Sequence, residues 1–99
     1  MNLNYLVIYR SDPAASAEWY ADALALRFTR EQHGGGPVHY AATLDDGTVV
    51  ELYSAGSRPV TRTRIGLSVP DPYDVRPEAS VITDPDGNTI AIEARAASA

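Results

Sequence analysis

The sequence predicts an α+β fold of paired βαβββ-type modules, the second lacking its helix and one strand. Three observations predict it. A helix-compatible segment follows the first strand-like run. Two strand–turn–strand hairpins follow, around Asp45-Asp46-Gly47 and Asp84-Pro85-Asp86-Gly87. The stretch after residue 61 then repeats the order of the first half with the helix cut out, which reads as a degenerate internal repeat.

The elements follow in order. Residues 3–9 (LNYLVIY) carry the β-branched, aromatic and leucine side chains of a strand. Asp12 suits a helix N-cap, and Pro13 suits the first helical position, where its missing N–H is not needed. Ala14 to Leu24 then reads as a helix with Trp19, Tyr20, Ala23 and Leu24 as its apolar stripe. Strands are expected at 26–32, 38–44 and 48–54, with His33-Gly34-Gly35-Gly36-Pro37 as a breaker between the first two. A further strand runs from about Arg62 to Val69 and is stopped by Pro70-Asp71-Pro72; a hairpin at 79–83 and 88–94 ends the series. Residues 1–55 therefore form the first module, 56–61 a linker and 62–99 the shortened second module of one structural domain.

Composition narrows the function classes. Hydrophobic residues make up 44% and charged residues 21% of the 99, the balance of a globular domain. With no cysteine, disulfides, thiolate metal sites and cysteine nucleophiles are excluded. The net charge is −5, and all eight basic residues are arginine, so no basic face for nucleic acid is expected. Arginine-only usage with abundant alanine points to a GC-rich bacterial genome. MNLNYLVIYR is unlike a signal peptide and no apolar run approaches the roughly 20 residues of a membrane span, so the expected compartment is the cytoplasm, with no membrane partner. Gly34-Gly35-Gly36 lacks the lysine and helix of a phosphate cradle.

Alternation assigns two faces to each sheet. Leu6, Ile8, Val50, Leu52, Ile65, Leu67, Val69, Ile90 and Ile92 form aliphatic faces suited to packing under a helix. The opposite faces mix Tyr5, Val7, Tyr9, Glu51, Tyr53, Arg64, Ser68, Ala91 and Glu93, a composition suited to a ligand cavity. If the Asp45-Asp46-Gly47 turn closes with Leu44 opposite Thr48, His39 joins Ala41, Glu51 and Tyr53 on this face; a one-residue slip puts Tyr40 there instead. His33, beside three glycines, reads as a mobile loop residue.

The run SDPAASAEWYADALALRF resembles the first helix of the vicinal oxygen chelate superfamily, which includes glyoxalases, bleomycin resistance proteins and extradiol dioxygenases. The acidic cap is Asp12 and the aromatic pair Trp19-Tyr20, followed by Leu24, Ala25 (where the family usually has glycine) and Leu26-Arg27-Phe28. RIGLSVPD at 64–71 resembles the opening strand of that family's second module, and DPDGN at 84–88 its final hairpin. The resemblance implies two modules that each curl a sheet into a cup. It also implies a metal held from four strands, at positions that fall here on Tyr5, Glu51, Arg64 and Ala91. Only Glu51 is retained, since arginine has no lone pair to donate and alanine no donor atom.

The function expected is therefore a glyoxalase/bleomycin resistance-like small-molecule-binding protein that is not an enzyme. No cofactor is expected, and catalytic residues are unknown. The ligand is expected to be aromatic or cationic, held by Tyr5, Val7, Tyr9, His39, Glu51, Tyr53, Arg64, Ser68, Ala91 and Glu93. Arg64 could alternatively fill the vacated site as an ion-pair partner of Glu51. A second possibility is a lyase, isomerase or dioxygenase with a divalent metal or acid–base site rebuilt around Glu51 and His39; a third is a structural or interaction remnant. The aliphatic face of the second module, without a helix of its own, leads to the expectation of a homodimer.

Overall fold

A computed structural model describes residues 1–96, in the order β1 (Tyr5–Arg10), α1 (Pro13–Leu24), β2 (Thr29–Glu31), β3 (His39–Thr43), β4 (Val49–Ser54), β5 (Arg64–Asp71), β6 (Ala79–Thr83) and β7 (Thr89–Ala96). The last three positions of the 62–99 stretch lie outside the described residues. The chain divides into two compact units, Met1–Thr61 and a second beginning at Arg62.

In the first unit a four-stranded sheet runs β1-β4-β3-β2, with β1 parallel to β4 and the other pairs antiparallel. The helix starts where Asp12 accepts a hydrogen bond from the Ala15 N–H at 3.1 Å, with Pro13 at its first position. It packs across β1, β3 and β4. Ser16, Tyr20 and Leu24 are its buried positions, and Ile8, Ala42 and Leu52 are buried in the sheet. The same face buries Arg10, whose Nε donates to Ser16 Oγ at 3.1 Å.

The helix ends on Ala25 at φ 56, ψ 23, in the left-handed region, with its N–H bonded to Ala21 O and the Leu26 N–H to Tyr20 O. This C-cap keeps residues 25 and 26 in the helix terminus, so β2 begins at Thr29 rather than at 26. A side chain at such a φ costs about 1–2 kcal/mol, which glycine avoids at a smaller cost in unfolded-state entropy. Ala25→Gly is therefore expected to raise stability by about 0.5–1 kcal/mol, read as a higher urea midpoint with an unchanged slope.

The second unit is a three-stranded sheet, β5-β7-β6, with β5 parallel to β7 and β6 antiparallel. This is the β1-β4-β3 order again, with no counterparts of α1 and β2 among the described residues. The wiring repeats as well. Val49 N–H donates to Asn4 O at 3.0 Å, and Thr89 N–H to Thr63 O at 3.1 Å. The residue before each of these also reaches the opening strand: Thr48 Oγ1 donates to Leu3 O at 3.4 Å, and Asn88 Oδ1 accepts from Thr63 N–H at 2.7 Å.

Two expectations are corrected here. Pro70-Asp71 does not stop β5, which continues to Asp71. β5 is an edge strand, where proline's missing N–H breaks no ladder, and the turn comes later, where the buried Asp71 carboxylate accepts from the N–H groups of Val75 and Arg76. The aliphatic face of the second unit is also not bare. Ile90 and Ile92 are 0% and 3% exposed within the single chain, Val69 is buried, and Ile65 and Leu67 are half-buried. No helix among the described residues is long and apolar enough to cross a membrane.

Candidate functional site

The turn at Asp45-Asp46-Gly47 closes with the Leu44 N–H on Thr48 O at 2.8 Å. That closure sets the β3–β4 register, in which His39 lies opposite Tyr53 and Ala41 opposite Glu51. Across β4, Val7 lies opposite Glu51 and Tyr9 opposite Tyr53. Alternation therefore gathers Tyr5, Val7, Tyr9, His39, Glu51 and Tyr53 on the face turned away from α1. Tyr5 is exposed and His39 is 1% exposed; the other four lie between.

His39 is the centre of this face. Its ring lies parallel to that of Tyr53, with centroids 4.5 Å apart and planes at 4°. Its Nδ1 is 3.3 Å from Pro37 O. Its Nε2 is 3.2 Å from Glu31 Oε1 and 3.4 Å from Glu51 Oε2. Glu31 arrives because β2 pairs with β3 in the register that puts Glu31 opposite His39. His33 follows just beyond the strand, its Nε2 3.6 Å from Glu31 Oε1 and its ring centroid 5.1 Å from that of His39. Glu51 thus has a polar neighbour within its own unit, in His39.

The electrostatics of the face are negative. The Tyr53 phenol is held above the ordinary tyrosine range, first by desolvation and then by the charge of Glu51, with Tyr9, Glu31 and Tyr5 adding to it. Tyr53 therefore remains a protonated hydrogen-bond donor at neutral pH. Arg58 lies at one margin, its guanidinium 4.9 Å from the centroid of Tyr9.

In the second unit Arg64, Ser68, Ala91 and Glu93 share one sheet face, with Gly66 opposite Ala91 and Ser68 opposite Glu93. With Ala79 and Val81 of β6 they line an open concavity of about 590 Å³. The lining is mostly small side chains, with Arg64 and Glu93 as its charged groups.

The four positions that the resemblance assigns to a metal do not fit one. Glu51 is a carboxylate, Tyr5 a largely exposed phenol, Arg64 a cation and Ala91 a methyl group. Ala91 stands four residues after Gly87 as Glu51 stands four after Gly47, so the second hairpin keeps the place of the ligand without its chemistry.

Sequence reasoning missed Glu31 and His33. Their signal is the Glu-x-His spacing at the end of β2, which becomes meaningful only once β2 is known to pair with β3 through His39.

The family model of the Glyoxalase/Bleomycin resistance protein/Dioxygenase superfamily matches residues 2–78. No curated protein matches the chain. Among solved structures, the oxidase ChaP-H2 is similar with a TM-score of 0.69 at 22% identity, over 96% of this chain and 94% of that one. TnmS3, an antibiotic-binding protein from Streptomyces sp. CB03234, gives 0.68 at 14% identity, over 95% of each chain. A lactoylglutathione lyase from Agrobacterium tumefaciens gives 0.64 at 12% identity, over 94% of this chain and 92% of that one. At these identities the likeness is one of fold.

Proposed function

Since the chain belongs to the glyoxalase/bleomycin resistance protein/dioxygenase superfamily, we propose that it is a small-molecule-binding protein of that fold, whose ligand is a planar aromatic cation. The observation that carries this reading is the Tyr53–His39 stack set against the carboxylates of Glu51 and Glu31. Tyr5 and Tyr9 extend the aromatic surface. A planar cation gains stacking from the rings and Coulomb attraction from the carboxylates, and the net charge of −5 favours its approach. An antibiotic-binding protein with the same fold, TnmS3, supports binding as a use of this architecture. Binding without turnover is the simpler reading because two of the four positions the family uses for a metal, Arg64 and Ala91, carry no donor, and a third, Tyr5, offers only an exposed phenol.

The test is calorimetric titration with 9-aminoacridine, a planar cation, against anthraquinone-2-sulfonate, a planar anion of similar size. The cation is expected to bind at least about tenfold more tightly, a difference of about 1.4 kcal/mol. Glu51→Gln is expected to remove most of that preference, and Tyr53→Ala to weaken both probes. Absence of saturable binding by either probe at millimolar concentration would overturn the reading. Equal affinity for both would overturn its charge assignment.

One contact favours a second reading, in which Glu51 and His39 act as a proton-transfer pair: the 3.4 Å approach of Nε2 to Oε2. A homodimer belongs to the binding reading as a way of enclosing an otherwise open face. Light scattering measures it directly, and a monomer that binds 9-aminoacridine would separate binding from assembly.

A further inference from the structure

We infer that Glu31, His33 and His39 form a binding site for a divalent transition-metal ion, at a place different from the four family positions. The inference stands independently of the organic ligand proposed above.

The first ground is the state of His39. Its Nδ1 faces a backbone carbonyl, Pro37 O at 3.3 Å, which can only accept. Its Nε2 then points at carboxylate oxygens of Glu31 and Glu51 at 3.2 and 3.4 Å, in a site where the imidazole is 1% exposed. A single positive centre among these groups serves all three at once. A backbone carbonyl holding Nδ1 is also the usual device that fixes the tautomer and orientation of a metal-ligating histidine.

The second ground is spacing. Two donors bound to one ion at about 2.0–2.1 Å, with a tetrahedral angle between them, lie about 3.3–3.4 Å apart. The donor separations here are 3.2 Å between His39 Nε2 and Glu31 Oε1, and 3.6 Å between His33 Nε2 and the same oxygen. The donor atoms of Glu31, His33 and His39 all lie within 4.8 Å of one another. Small side-chain rotations bring this set to coordination distance, and His33, exposed on its loop, can make them. Glu51, 3.4 Å from Nε2, is placed to complete the coordination or to hold His39 against the ion. Two imidazoles and a carboxylate select zinc, cobalt, nickel or iron over magnesium or calcium.

The experiment uses the whole chain, stripped with EDTA and dialysed, and titrated with Zn²⁺ by calorimetry in the absence of any organic probe. One Zn²⁺ per chain is expected, with a rise in melting temperature and no binding of Mg²⁺. Co²⁺ substitution is expected to give the intense visible bands of a four- or five-coordinate site. His33→Ala and Glu31→Gln alter groups that are at least a third exposed, so both variants are expected to fold with unchanged metal-free melting temperatures, and each to weaken Zn²⁺ at least about tenfold. No saturable Zn²⁺ binding by the native chain overturns the inference. So does native-like Zn²⁺ affinity in either variant, which would place the ion elsewhere. Failure of the 9-aminoacridine titration leaves these readouts untouched, so the two proposals fail separately.

Discussion

Leu52→Ala is expected to lower the stability of the protein by about 3 kcal/mol, the largest effect of any substitution considered. Leu52 is 0% exposed on β4, flanked in the ladders by Ile8 of β1 and Tyr40 of β3, and it lies beneath α1. Truncation removes three carbons from the centre of a thin core and leaves a cavity that its neighbours fill only in part, a change that costs about 2–5 kcal/mol. In a chain of this length the loss corresponds to a fall in melting temperature of roughly 12–24 °C. Leu52 also separates Glu51 from Tyr53. Its burial fixes which way those two side chains face, since a one-residue slip would send Leu52 to the ligand face and both of them to the helix. Thermal and urea denaturation followed by circular dichroism measure the effect, and a loss under about 1 kcal/mol would show that this position is not the packing centre described.

Asn88→Ala is expected to cost about 2 kcal/mol. Asn88 is 0% exposed and bonds in two directions. Its Oδ1 accepts from the Thr63 N–H at 2.7 Å, while its Nδ2 donates to Asp84 Oδ1 at 3.1 Å. Alanine leaves the part-buried Thr63 N–H without its acceptor and withdraws from the buried Asp84 one of the three N–H groups that converge on its Oδ1, the others being the backbone N–H groups of Asp86 and Asn88. An unsatisfied buried group costs about 1–3 kcal/mol. Asn88→Asp provides the contrast: it keeps the acceptor for Thr63 but places a second carboxylate against Asp84. It is expected to destabilise at neutral pH at least as much as alanine. If Asn88→Asp were neutral, the donation from Nδ2 would not be what holds this turn.

The elements were legible because their signals are local. Hydrophobic alternation, the Asp12-Pro13 start and the two Asp-Gly turns each act over a few residues, and they placed the helix and the strands within a few residues of where they lie. The His39 face was legible for a similar reason, since the short turn between β3 and β4 fixes their register. Glu31 and His33 were not legible. The glycine-rich segment between β2 and β3 imposes no register by itself, so no local rule puts Glu31 opposite His39. Arg10 was hidden differently. Alternation assigns it to the helix side of β1, and only the packing reveals that a guanidinium is buried there beside Ser16. The burial of Ile90 and Ile92 is likewise a tertiary fact that the absence of a helix in the second unit could not foretell.

The missing counterpart of β2 also governs stoichiometry. The first unit acquires its histidine–carboxylate cluster because β2 delivers Glu31 and His33 to the outer side of β3. In the second unit β6, the counterpart of β3, has no such neighbour among the described residues, and the place equivalent to Glu51 holds Ala91. The repeat duplicates the scaffold without duplicating the site. Among the described residues each chain therefore offers one such cluster, and any number of equivalent sites greater than one measures the number of chains assembled.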